Sequence, residues 1–75
     1  MKPYDRVLAI AKYYLGPAAE SFLTRQCLVG LNKDAAKITA GDFKALGSWV
    51  EVAACRFIET PKAQQMGNRI AVLSS

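Results

Sequence analysis

Hydrophobic residues recur along this chain at intervals of three and four, which is the spacing of one face of an amphipathic helix. The longest such segment lies between Thr39 and Glu59. Thr39 is a favourable N-cap residue, and Asp42 can complete a capping box three residues later. The pattern predicts a central helix over residues 40–58. Its apolar stripe consists of Phe43, Leu46, Val50, Ala53, Ala54, Phe57 and Ile58.

The same spacing predicts further helices over residues 4–15, 17–31 and 61–73. Gly16-Pro17 predicts a tight corner, because glycine can close a helix in a left-handed conformation and proline suits the first turn of the next helix. Thr60-Pro61 predicts another break, because proline suits the first turn of a new helix. We therefore expect an all-α fold, a compact four-helix bundle with short connections, as a single domain over residues 1–75.

The predicted core follows from the inner stripes of these helices. It consists of Val7, Leu8, Ala11, Leu15, Phe22, Leu23, Cys27, Phe43, Leu46, Val50, Ala54, Phe57, Met66 and Ile70. Cys55, like Cys27, lies in an apolar segment, so both are interpreted as small core residues. Glycine in a helix interior costs about 1 kcal/mol relative to alanine. Gly47 therefore suggests that another backbone packs closely against the central helix.

The composition suggests an apolar surface in addition to a core. Hydrophobic residues make up 52% of the 75 residues, whereas a domain of this size buries only about 60% of its unfolded surface. The excess predicts either an unusually good core or an apolar face that binds a partner. No apolar run reaches the roughly 18 residues of a membrane helix, and the N-terminus lacks the features of a signal peptide. We therefore expect no membrane contact and a cytoplasmic location.

The charge permits binding to nucleic acid without requiring it. The formal net charge is +4, but the basic residues are scattered rather than clustered as in a typical nucleic-acid footprint. The helix, corner and helix around Gly16-Pro17 leave a DNA-binding helix-turn-helix as the alternative function, with Lys12 and Arg25 as contacts. Glu20 on the exposed side of the second helix weakens that alternative.

Catalytic chemistry is not indicated by the residue types present. The chain has no histidine, which removes the commonest general base and metal ligand. The acidic residues fall at helix starts, on outer faces or in the loop, and the cysteines have no neighbouring ligand that would complete a metal set. We predict no enzyme activity, no catalytic residues, no metal and no cofactor.

A protein interface is the function that the remaining residues favour. Trp49, Val52 and Arg56 share a flank beside the apolar stripe of the central helix, and tryptophan and arginine are enriched at interface hot spots. Tyr13 is predicted to lie on the surface and to belong to the same interface, whereas Tyr14 is predicted to pack inward. The interpretation that Trp49 only closes the core stays open. The sequence predicts a self-associating module with a protein partner of unknown identity, and a homodimer is one possibility.

A motif in the first half of the chain resembles a small helical module at the C-termini of some bacterial signalling proteins, including kinases and cyclases. The similarity covers residues 7–58. It is carried by Tyr13-Tyr14-Leu15-Gly16-Pro17-Ala18-Ala19, Phe22-Leu23, Arg25, Ile38-Thr39 and Phe43-Lys44-Ala45-Leu46. The resemblance implies an interaction or regulatory module of a bacterial signalling system, and it carries over no catalytic residue.

Overall fold

The fold is all-helical. A computed structural model describes residues 2–73 and contains no β-strand in this range. Its α-helices are α1 (Pro3–Leu15), α2 (Ala19–Leu31), α3 (Phe43–Ala54) and α4 (Thr60–Val72). Short 3-10 turns occur at Gly16–Ala18, Ala35–Lys37 and Ala40–Asp42. The predicted all-α class is confirmed.

The hydrophobic core draws side chains from every α-helix and from Ile38 in the long connection. Its buried members are Val7, Ala11, Ala19, Leu23, Cys27, Ile38, Phe43, Leu46, Val50, Ala54, Ala63, Met66 and Ile70. Three other predicted core residues, Leu8, Leu15 and Phe22, are partly buried and pack against this cluster. The periodicity therefore located most of the core correctly, because burial follows the inner stripe of each helix.

Helices α3 and α4 form the most extensive contact of the fold. They run antiparallel and meet backbone to backbone at Gly47 and Gly67. A Cβ atom added to Gly47 would lie 2.5 Å from the Gly67 carbonyl oxygen, and one added to Gly67 would lie 2.6 Å from the Gly47 carbonyl oxygen. Neither position can accept a side chain without moving the helices apart. The close packing predicted at Gly47 is confirmed, and its partner is Gly67.

The corner between α1 and α2 depends on a glycine. Gly16 has φ +62° and ψ −137°, and its N–H donates to the Lys12 carbonyl oxygen. A side chain would be strained at this positive φ, whereas glycine adopts it readily. Pro17 follows inside the 3-10 turn. The predicted corner is present, although α2 begins at Ala19 rather than at residue 17.

The entry to α3 is the predicted capping box. The Thr39 N–H donates to Asp42 Oδ2 at 2.9 Å, and Lys33 Nζ lies 3.0 Å from the same oxygen. The bond from the Thr39 N–H, aided by the Lys33 ammonium, lowers the pKa of the Asp42 carboxyl. This capping box stabilises the 3-10 turn Ala40–Asp42, which leads directly into α3.

The C-terminal end of the central helix differs from the prediction. Helix α3 ends at Ala54 rather than at residue 58, and turns follow in which Phe57 N–H and Ile58 N–H both donate to the Ala54 carbonyl oxygen at 2.9 Å. A helix through residue 58 would leave only Glu59 to reverse the chain before α4 begins. The antiparallel α3–α4 contact therefore requires the earlier end.

Two residues that were predicted in the core lie at the surface near that turn. Phe57 is 70% exposed, and Cys55 is also exposed. The prediction for Phe57 was wrong because it extended the helical stripe past Ala54, where the chain no longer follows helical spacing. The prediction for Cys55 was wrong because it relied on apolar neighbours in the sequence, although Cys55 lies off the apolar stripe. Cys27, which lies within α2, is buried as predicted.

Candidate protein interface

A groove of about 760 Å³ lies between α2 and α3. Phe57 at one end faces Phe22, and Trp49 at the other end faces Gly30, so the two helices run antiparallel along it. The end of α1 and the turn after α3 close one end. We call this surface the α2–α3 groove. Its lining residues are Tyr14, Leu15, Ala18, Ser21, Phe22, Arg25, Gln26, Val29, Trp49, Val52, Ala53, Arg56, Phe57 and Ile58.

Large exposed hydrophobic side chains are concentrated along the groove. Val29 projects from α2, Trp49 and Val52 project from α3, and Phe57 projects from the turn that follows. Trp49 is 45% exposed and Val52 is 70% exposed. Exposed apolar side chains that lie together, rather than singly, mark an interaction surface on a soluble domain. The groove is therefore the candidate interface among the described residues.

Trp49 packs against α2 at Gly30, where the lack of a side chain leaves room for the indole ring. A Cβ atom added to Gly30 would lie 2.7 Å from Trp49 Cγ and 2.9 Å from Cδ1. The indole therefore packs directly on the α2 backbone while part of it stays exposed in the groove. Trp49 supports the α2–α3 contact and also contributes to the groove surface. Its role at a protein interface stays a prediction.

Two phenylalanines form the opposite end of the groove. The Phe22 and Phe57 rings lie edge to face, with centroids 5.8 Å apart and an interplanar angle of 89°. Such a pair contributes about 0.5–1.5 kcal/mol beyond the area that it buries. This contact orients Phe57 across to α2 even though most of its ring is exposed. The early end of α3 thus adds an aromatic residue to the groove.

The charged side chains that line the groove are arginines. Arg25 on α2 and Arg56 after α3 lie along it, and no aspartate or glutamate belongs to the lining. Tyr14 also lines the groove, and its hydroxyl is buried without a hydrogen-bond partner among the described residues. The lining of the groove therefore combines apolar side chains with two arginines.

Tyr13 lies outside this surface. It is 77% exposed, and its ring packs edge to face on Tyr14 with centroids 5.0 Å apart. The Arg69 guanidinium of α4 lies 5.7 Å from the centroids of both rings. The structure therefore brings Trp49, Val52 and Arg56 together in the groove and places Tyr13 in a separate cluster with α4.

Several residues that line or support the groove were not predicted from the sequence. Val29 is apolar but lies off the inner stripe of α2. Helical periodicity alone could therefore have identified it as an exposed apolar residue. The exposed position of Phe57 depends on where α3 ends, and the role of Gly30 depends on the contact with Trp49. Neither of these could be obtained from local spacing.

Other chemistry is sparse in the described part of the chain. Burial raises the pKa of the Cys27 thiol, whereas Cys55 is exposed and its Sγ donates to the Glu51 carbonyl oxygen at 3.1 Å. Across residues 2–73, no cluster of three or more His, Cys, Asp or Glu side chains is placed to hold a metal ion. The helices in this range are also too short or too polar to cross a membrane.

Comparison with protein-family models, curated proteins and solved structures finds no match to the chain. The similarity to a signalling module rests on the motif residues alone and stays a prediction. The groove is therefore interpreted from its own geometry and chemistry.

Proposed function

We propose that this chain is a small non-catalytic helical interaction module that binds a protein partner through the α2–α3 groove. The observation that carries the proposal is the grouping of Val29, Trp49, Val52 and Phe57 as exposed apolar side chains along one groove. A compact four-helix bundle would serve as its rigid support. The motif resemblance adds a regulatory role in a bacterial signalling system to the same proposal.

The occupant of the groove can be a second copy of the chain or a different protein. In both cases the exposed apolar side chains of the groove would lose contact with water, and burial of apolar surface contributes about 25 cal/mol per Å². Trp49 and Arg56 belong to the residue types that dominate binding energy at interfaces. The prediction of a homodimer can therefore be tested on the same residues as binding to another protein.

The first test is solution mass by light scattering across a dilution series, with Val52→Glu as the groove variant. Val72→Glu is the matched control, because Val72 is also exposed but lies on α4 and does not line the groove. A dimer that dissociates in Val52→Glu and persists in Val72→Glu would support the groove as the interface. A dimer that is unchanged in Val52→Glu would contradict it.

A monomer at every concentration directs the test to a different protein. Selection from a displayed library of helical peptides then measures binding, and Val52→Glu is again the variant that tests the groove. Absence of self-association together with absence of peptide binding would refute the interaction module.

The second candidate is a small DNA-binding regulator that uses Lys12 and Arg25. The observation in its favour is the helix, corner and helix formed by α1, the Gly16–Ala18 turn and α2, on a chain of net charge +4. We rank it second because the two predicted DNA contacts do not share the groove surface. Arg25 lines the groove, and Lys12 does not. A salt-sensitive mobility shift of labelled duplex DNA would support it. Absence of binding at low salt would exclude it.

A further inference from the structure

We infer that the partner in the α2–α3 groove is an acidic amphipathic helix of a different protein. This inference rests on the proposed function, since it names the occupant of the same groove. It is carried by the charge of the lining, the direction of the two helices that form the groove and the position of its exposed apolar side chains.

The charge of the groove selects an anionic partner. Arg25 and Arg56 are the charged members of the lining, and no acidic side chain accompanies them. The whole chain is also basic, with a formal net charge of +4. An anionic partner is attracted at long range by this charge, and its carboxylates can pair with the two guanidinium groups at the groove edge.

The same charge disfavours a second copy of the chain. In a two-fold symmetric dimer the same patch of both copies meets. Arg25 and Arg56 of each copy would then enter one interface whose groove lining supplies no carboxylate. Like charges in an interface oppose association. A partner with acidic residues removes this repulsion and replaces it with ion pairs.

The shape of the groove favours a helix. Two antiparallel helices form its sides, and apolar lining residues recur at helical spacing, such as Phe22 and Val29 on α2 and Trp49 and Val52 on α3. A third helix, about 10–12 Å wide with its side chains, can lie along the groove in contact with both of them. Helices bound in this way present apolar anchors at positions i, i+3 or i+4, and i+7. Acidic residues that flank those anchors would reach Arg25 and Arg56.

The test is a selection from a displayed library of helical peptides of about 20 residues, a length at which isolated helices can form. Every peptide has a fixed stripe of leucines, and the positions that flank the stripe vary among Glu, Gln and Lys. The immobilised full chain is the target. Selected peptides contain no tryptophan, so their binding is measured by emission from Trp49, the single tryptophan of the chain. An indole that becomes covered emits at shorter wavelength.

We expect the selection to enrich Glu over Lys at the flanking positions. The selected peptide should bind about tenfold more weakly to the Arg25→Gln/Arg56→Gln variant, which loses two surface ion pairs. The control is Lys12→Gln/Lys62→Gln, which removes the same charge from exposed positions outside the groove. Binding to this control should change less than threefold, because exposed charges that form no ion pair with the peptide are largely screened by salt.

The outcomes separate the inference from the proposed function. Binders that carry Lys as often as Glu, and that Val52→Glu abolishes, would overturn the acidic partner while the groove remains the binding site. Binders that are insensitive to Val52→Glu would overturn both. Failure to select any binder would overturn the acidic helix, and the light-scattering series then decides whether the groove binds a second copy.

Discussion

The backbone contact between α3 and α4 gives the sharpest stability prediction. Gly47→Ala places a methyl group where the Gly67 carbonyl oxygen would lie 2.5 Å away, with the Ala71 backbone nitrogen at 3.2 Å. These neighbours belong to the backbone of α4, so they cannot rotate away as a flexible side chain would. The helices must separate, and the core side chains between them must lose contact.

The magnitude follows from two opposing effects. Overpacking of a close contact costs about 1–3 kcal/mol, and we take the upper end because the obstacle is backbone. Alanine is preferred over glycine in a helix by about 1 kcal/mol. The expected net loss in free energy of unfolding is about 2 kcal/mol, out of roughly 4–11 kcal/mol for a chain of this length. For a domain of this size the loss corresponds to a decrease in melting temperature of about 8–16 °C.

The assay is thermal and urea unfolding followed by helical circular dichroism. Gly41→Ala is the matched control, because the nearest atom to an added Cβ there is Thr39 Oγ1 at 3.6 Å, which is ordinary contact. We expect Gly41→Ala to leave stability unchanged or slightly raised. The Gly47→Ala/Gly67→Ala double variant should lose less than the sum of the single variants, because the first methyl group already separates the helices. Equal stability of Gly47→Ala and Gly41→Ala would refute the reasoning.

Three further predictions address the groove, the helix cap and the thiols. Gly30→Ala should displace the Trp49 indole and shift its emission; unchanged emission would show that the ring does not rest on the α2 backbone. The lowered pKa of Asp42 means that its carboxylate stabilises the fold above the ordinary value of 3.8 and that this contribution disappears as pH falls through the folded-state pKa. Asp42→Asn should therefore be less stable than the wild type near neutral pH and approach it in acid, and a difference that does not vary with pH would contradict the cap. Cys55 should react with a thiol reagent in the native state and Cys27 only on unfolding; equal rates would contradict the burial of Cys27.

The sequence was most informative where structure depends on local geometry. The spacing of apolar residues identified the helical segments and the stripes that contain Val7, Leu46 and Ile70, because helical periodicity itself places those side chains on one face. The Gly16-Pro17 corner and the Thr39 capping box were also predictable. Each depends on backbone and side-chain preferences within a few residues, so no distant contact is needed to specify it.

Tertiary structure decided the features that join distant parts of the chain. The sequence marked Gly47 as unusual, but only the packed helices show that Gly67 is its partner and that α3 must end at Ala54 for the chain to return. That early end exposes Phe57. Gly30, on α2, likewise acquires its role only from the Trp49 ring that lies on it. Steric exclusion between backbones and rings depends on positions in space, and the local sequence does not identify which distant residue supplies the contact.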